Sequence, residues 1–322
     1  MFKTMNIKMR RVHEMILRSK LFQHIAHRAI PFVLAVISLA SLSTNCTETD
    51  RCPWTVTSIR QPTETEERYI GTSDIAWPPV NARTVPGPDS LCLLVQNDSE
   101  RHPYIYLKDL RTGETELLLS DIASSPRWSP DGKYIACIAF KSSSRPWDLS
   151  VIEIASGKIM NPPLNSSTTA IKWSPDSKTL VGAGISYDGQ GSVLYCVSFP
   201  EGAVSTLDTV RIYSDYEFAW SPDSKWIAVS RPTELFPLTG DISKADLWIV
   251  SRSQDIKCKV LDTPDWVEGE PRWITDRAIL LERLSWRGTE AVKEETVVVE
   301  LTLDSSFHSP RSDLFILPPT FL

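Results

Sequence analysis

Three seven-residue runs in this chain are near copies of one another: Arg127-Trp128-Ser129-Pro130-Asp131-Gly132-Lys133, Lys172-Trp173-Ser174-Pro175-Asp176-Ser177-Lys178 and Ala219-Trp220-Ser221-Pro222-Asp223-Ser224-Lys225. Agreement at three places is an internal repeat, and a repeat constrains the fold before any other feature does. Two weaker copies extend the series, Arg272-Trp273-Ile274-Thr275-Asp276-Arg277 and Pro86-Gly87-Pro88-Asp89-Ser90, the second with its aromatic displaced to Trp77-Pro78. The aspartates at 89, 131, 176, 223 and 276 are separated by 42, 45, 47 and 53 residues. Each run is specified locally as a turn: proline fixes φ, aspartate or serine bonds the backbone inside the turn, and glycine or serine closes it.

A short β-prone run follows every turn: 91–96, 134–140, 179–183, 226–230 and 278–284. A second follows the first, over 104–107, 149–154, 192–199, 246–250 and 296–303, and Gly-containing turns such as Arg111-Thr112-Gly113-Glu114 and Ala155-Ser156-Gly157-Lys158 come after it. Each unit therefore reads as four strands joined by tight turns, and a period of about 40 to 50 residues with several strands marks the blades of a β-propeller. The expected fold is all-β, a propeller of four-stranded blades over 55–322. Trp128, Trp173, Trp220 and Trp273 supply the apolar bodies that wedge between blades, because no sheet can bury both faces alone. Pro130, Asp131, Pro175, Asp176, Pro222, Asp223 and Asp276 are read as turn formers, not ligands, since a role repeated in every blade is a structural one. Five turns are visible. Residues 55–59 and 67–70 look like outer strands of another unit, and 313–317 like a further strand, so six blades with one shared between the ends is favoured and five is the alternative. Sharing a blade between the termini would leave no free sheet edge.

The Trp-Ser-Pro-Asp-Gly/Ser-Lys run followed by an Ile-Ala strand resembles the Asp-Pro variety of WD-like repeat found in TolB-type β-propellers, over about residues 75–305. That resemblance implies an exported propeller acting as a protein-binding or scaffolding module. It does not by itself fix a function, because one fold serves scaffolds, peptidase gates and lyases alike.

The first 45 residues differ in composition from the rest. Lys3, Lys8, Arg10, Arg11, Arg18, Lys20 and Arg28 precede an apolar run over 29–42, and small residues close it. This is the pattern of a secretory signal, and the run, at roughly 14 residues, falls short of the about 20 that cross a bilayer as a helix. Cys46, in Leu42-Ser43-Thr44-Asn45-Cys46, stands where a bacterial lipobox places its lipidated cysteine, although Asn45 and Ser43 depart from that pattern. Two readings stand for the segment: lipidation at Cys46 with 46–54 as tether, or cleavage near Ser43. Either way the chain is expected to be exported to the periplasm or cell exterior.

Chemistry is sparse in the remainder. Lys plus Arg number 34 against 40 Asp plus Glu, a net charge of −6, which argues against a sequence-independent grip on nucleic acid. No G-x-S-x-G elbow is present, Gly184-Ile185-Ser186-Tyr187-Asp188 lacking the second glycine. Beyond the signal segment only His102 and His308 remain, and the six cysteines form no C-x-x-C pair, so neither a zinc site nor a cofactor is expected. Cys137 and Cys196, inside apolar strand patterns, read as buried thiols. The carboxylate pairs Glu268 with Glu270 and Asp215 with Glu217 read as solvated loop charge. Trp147, Trp266 and Trp286 lie outside the repeats and are the candidates for a partner surface. The expected function is a non-enzymatic envelope propeller binding a protein or peptide, and the rival is a sugar- or ligand-binding propeller, or a propeller enzyme, that uses its central funnel.

Overall fold

The structure is a computed structural model, and it describes residues 52–304 apart from 68–82, 88–90, 98–102, 120–122, 143–146, 214–215, 238, 265 and 288–289. It is an all-β array of four-stranded blades. The first blade holds β2 (Arg83–Pro86), β3 (Leu91–Asn97), β4 (Pro103–Asp109) and β5 (Thr115–Leu119). In the second are β6 (Ala123–Trp128), β7 (Tyr134–Ala139), β8 (Asp148–Glu153) and β9 (Ile159–Met160), and in the third β10 (Ala170–Trp173), β11 (Thr179–Ile185), β12 (Ser192–Ser198) and β13 (Ala203–Val210). The fourth comprises β14 (Glu217–Trp220), β15 (Trp226–Leu235), β16 (Ile242–Ser251) and β17 (Lys257–Leu261). β18 (Trp266–Thr275), β19 (Ala278–Arg287) and β20 (Glu290–Leu303) form the fifth, and β1 (Trp54–Arg60) pairs antiparallel with β20 as its outer strand.

Five four-stranded units therefore account for the described strands, the smaller of the two counts expected, and no sixth sheet occurs among the described residues. Residues 55–59 begin no blade of their own. They complete the last one, because β20 runs on to Leu303 and offers a free edge with which Trp54–Arg60 pairs. Glu67 ends a one-turn helix, α1 (Glu64–Glu67), instead of starting a strand. Thr63 and Glu66 cap it reciprocally: Thr63 N–H donates to Glu66 Oε2 at 2.8 Å and Glu66 N–H to Thr63 Oγ1 at 3.4 Å. Residues 68–70, 313–317, Cys46, His102 and His308 lie outside the described residues.

The core is divided among the seams between blades. Ile105, Leu119, Ile135 and Ile152 fill the first seam, and Tyr134, Leu149, Trp173, Tyr195 and Phe199 the second. Leu194, Phe218, Trp220 and Ile227 fill the third, and Trp54, Leu247, Ile249, Ile279 and Val299 the fourth. The repeat explains how the seams are held. Within each turn, Ser129, Ser174 or Ser221 donates to Asp131, Asp176 or Asp223 at 2.6–2.7 Å, and the aspartate accepts the N–H of the following lysine. Between blades, Trp173 Nε1 donates to Arg127 O and Trp220 Nε1 to Lys172 O, both at 3.2 Å. The second serine reaches backwards: Asp131 N–H donates to Ser177 Oγ at 2.9 Å, and Asp176 N–H to Ser224 Oγ at 3.0 Å.

Those inter-blade bonds hold the second and third seams; at the first, Trp128 Nε1 is buried without a hydrogen-bond partner, and the fourth seam is built differently again. From Trp220 to Ile227 the chain takes seven steps, from Trp273 to Ile279 only six, so the fifth turn has no serine at the reaching position. Trp273 Nε1 is buried with no hydrogen-bond partner. Other links replace those bonds. β16 and β18 touch in parallel at Ala245 and Val267, which joins the fourth and fifth blades into one eight-stranded sheet. A disulfide joins Cys52, just before β1, to Cys258 in β17, with Cα atoms 5.3 Å apart, while Cys92, Cys137 and Cys196 are buried thiols outside any disulfide.

Candidate functional site

Antiparallel order within each blade sends the repeat turns to one end of the array and the loops between second and third strands to the other. At the turn end, backbone bonds such as Ile154 N–H to Lys133 O and Phe199 N–H to Lys178 O join neighbouring turns, and the repeat aspartates are occupied inside them. The loop end carries different residues. Trp147, which precedes β8, holds a φ of 64° and is 36% exposed, its ring edge-on to Phe140 at 5.6 Å and its carbonyl accepting Thr168 N–H at 2.6 Å. Few non-glycine residues hold a positive φ, so the surrounding contacts fix this tryptophan at the surface.

Beside the third blade a cavity of about 320 Å³ is lined by Ser186, Asp188, Gln190, Gly191, Thr209 and Arg211. Gly191 has a φ of 125°, and a Cβ there would meet Val210 O at 2.0 Å, so only glycine fits. Bonds from the Ser186 hydroxyl and the Gln190 N–H hold the Asp188 carboxyl below its usual range, keeping it charged. Tyr213 is 56% exposed and donates its hydroxyl to Gly189 O. Tyr187 donates to Asp148 Oδ1 at 2.6 Å, tying the loops of the second and third blades together.

Of the other two candidate aromatics, Trp266 has the Arg283 guanidinium 4.5 Å from its ring centre, and Trp286 is edge-on to Phe236 at 5.3 Å. Both are partly covered and engaged in packing, whereas Trp147 remains at the surface. Glu268 and Glu217 correct the expectation of solvated loop charge. β18 already begins at Trp266, so Glu268 sits inside a strand, is fully buried, and pairs with Arg283 Nε at 2.9 Å. Burial raises it, with Arg283 opposing. Glu217 opens β14, and its Oε2 accepts the backbone N–H of Glu270 at 2.6 Å. Burial pushes its carboxyl up to about 7, the Glu270 N–H and Lys172 opposing, the Glu270 and Glu282 carboxylates adding to the rise. Asp215 lies outside the described residues.

Position within the blade, which sequence spacing alone does not reveal, places the residue before each repeat tryptophan on the first strand: Arg127, Lys172 and Arg272 are so placed. Arg272 donates to Glu270 Oε2 at 2.6 Å and to Glu282 Oε1 at 3.4 Å. These first strands thus carry charge of both signs. Among the described residues no group of three or more His, Cys, Asp or Glu is arranged to hold a metal ion.

No family model matches the chain, and no curated protein does. Among solved structures it is similar to the β-propeller domain of the Trilobed protease from Pyrococcus furiosus, with 15% identity, 68% of each chain covered and a TM-score of 0.49. It is similar to oligogalacturonate lyase from Vibrio parahaemolyticus at 12% identity, covering 69% of this chain and 65% of that one, with a TM-score of 0.49. TolB from Acinetobacter baumannii is 21% identical over 68% of this chain and 55% of its own, with a TM-score of 0.41. The chain thus spans less than two thirds of the lyase and of TolB. At these identities the likeness concerns fold alone, and the blade architecture stands on the sheet topology itself.

Proposed function

We propose that this chain is a non-enzymatic propeller of the cell envelope that binds a protein or peptide partner through its loop end. The observation that carries the reading is the contrast between the two ends. At the turn end the repeat serines and aspartates are consumed by bonds within and between blades, whereas the loop end presents half-exposed Trp147 and, bonded to Gly189 of the loop that lines a polar cavity with charged Asp188, exposed Tyr213. Aromatic side chains flanked by fixed polar groups are the composition of interface anchors. Export is part of the proposal. The basic and apolar N-terminal segment and the Cys52–Cys258 disulfide support it, because disulfides persist in oxidising compartments.

Site-specific photo-crosslinking in envelope preparations tests the docking face. A crosslinker at position 147 or 213 should trap one recurring partner that a crosslinker at 133 or 178 does not. Equal labelling from both ends, or none from the loop end, sinks the reading. Intact mass of the mature chain tests the tether: a lipid-sized increment on a chain starting at Cys46 supports the anchor, and an unmodified start near Thr44 refutes it.

Glu217 supports the second reading, a ligand or substrate held at the first strands of the blades. A carboxyl pushed up to about 7 by burial, with Lys172 opposing that rise, is suited to acid–base work. Were that reading correct, Glu217→Gln would abolish turnover of a bound ligand while leaving the crosslinks at 147 and 213 unchanged.

A further inference from the structure

Resting on the docking face inferred above, we propose that the cavity beside the third blade receives a partner segment in which a basic and an acidic side chain stand close together, the first taken by Asp188 and the second by Arg211. These two residues line the one cavity from different segments, the hairpin between β11 and β12 and the chain leaving β13. Both are exposed, and among the described residues neither forms an ion pair, with the other or with a third group. The repeat turns show what is missing. There Ser129, Asp131 and Lys133 make the same two bonds as Ser186, Asp188 and Gln190, a serine hydroxyl and the N–H two residues on both donating to one carboxyl oxygen. Each repeat aspartate also has a cation: Asp131 has Lys133 at 3.4 Å, Asp176 has Arg252 at 2.6 Å and Asp223 has Lys225 at 3.6 Å. At Asp188 the lysine position holds Gln190, so the carboxylate is fixed in place and its charge is left for a ligand.

The frame that carries the two charges is held by backbone bonds. Ser186 N–H donates to Gly191 O at 2.9 Å, closing the hairpin, and Ser192 N–H donates to Ile212 O at 3.1 Å, joining it to the segment of Arg211. Gly191 and Ser192 are buried beneath the exposed charges, and Gly191 runs too close to Val210 O for any Cβ. A ligand of one sign meets a like charge here, at Asp188 if it is anionic and at Arg211 if it is cationic. A segment carrying both signs is complementary to both, and the same arrangement turns away polyanions and polycations. The bond from Tyr187 to Asp148 joins the residue before Asp188 to the residue after Trp147, so the aromatic anchor and the charged cavity belong to adjoining loops.

Capture from a crosslinker at position 147 in envelope preparations leaves every residue of the cavity in place and tests the assignment. The captured peptide should hold a Lys or Arg and an Asp or Glu within a few residues of each other. Asp188→Asn, whose amide oxygen still accepts both turn bonds, and Arg211→Gln should each lower the crosslink yield about two- to fivefold, the scale of one solvent-exposed ion pair. An unchanged urea midpoint is the check on folding, and concentrated salt should lower the wild-type yield as the variants do. Equal capture by the wild type and either variant, a captured peptide without both charges, or a captured glycan overturns the assignment while the docking face stands. No capture from position 147 or 213 sinks the docking face and the assignment with it. Should a variant not fold, the salt series on the wild type decides: a falling yield supports the charged site, and a flat one overturns it.

Discussion

Single side chains decide how firmly each seam is held. Ser177 accepts the Asp131 N–H from a left-handed backbone with φ 61°, a conformation that favours glycine, so the bond justifies a serine there. Ser177→Ala leaves that N–H unpaired and should cost about 1 to 2 kcal/mol, read as a lower urea midpoint with unchanged slope. Trp173 is nine-tenths buried between Tyr134 and Phe199, and Trp173→Ala should cost about 3 to 5 kcal/mol in the same measurement. At the third seam Asp208 is almost wholly buried. It accepts Arg231 Nε at 2.7 Å and Tyr216 Oη at 3.1 Å, pairs with Lys257, and both cations lie against the Trp248 ring. Asp208→Asn removes the charge that holds two cations and should destabilise by about 2 to 3 kcal/mol, a loss that high salt reduces only slightly because the group is buried. Apart from Tyr216, eight positions from Asp208, these partners lie more than twenty positions from the residue they serve.

At the scale of elements, β1 is the unusual strand. It lies more than two hundred residues from β20, to which it pairs from Trp54–Leu303 to Arg60–Val298. Trp54 enters the fourth seam between Trp226, at 5.3 Å, and Trp273, at 5.9 Å, and Arg60 donates to Glu300 at 2.7 Å. The disulfide to Cys258 closes a loop with a sequence separation of 206, so Cys258→Ser should lower stability by about 4 kcal/mol. Adding reductant should bring the wild type down to the variant's midpoint and leave the variant where it was. The inner part of β11 shows the other constraint on an element. A Cβ on Gly184 would stand 1.6 Å from Ser167 O, so the strand and the chain entering the third blade approach as only glycine allows.

For the whole molecule, the array depends on its last blade receiving a strand from the other end of the propeller. A chain that starts after Arg60 loses that strand, leaves the edge of β20 open and removes Trp54 from its seam. It should elute in size-exclusion chromatography as self-associated species where the full chain does not. Blade type, turn position and the two strands that follow each turn were legible from the Trp-Ser-Pro-Asp runs, because proline, aspartate and alternating apolar residues act locally and within one blade. The destination of β1 was not legible: strand 55–59 is recognisable from its own residues, but its partner is chosen by an edge that exists only once the fifth blade has formed. Trp147 likewise could be named from sequence as lying outside the repeats, as could Trp266 and Trp286; each has a ring partner, and only its greater exposure in the folded chain separates Trp147 from the other two. Glu217 and Glu268 look like loop charge in the sequence because burial is a property of neighbouring strands: β14, β18 and β19 meet around them from positions 217 to 287 and cover Glu268 fully and Glu217 in part. The sequence by itself thus determined the repeating unit through short-range turn and strand preferences. Tertiary structure decided which ends pair, which aromatics stay at the surface and which carboxyls leave water, since each depends on contacts between residues tens to hundreds of positions apart.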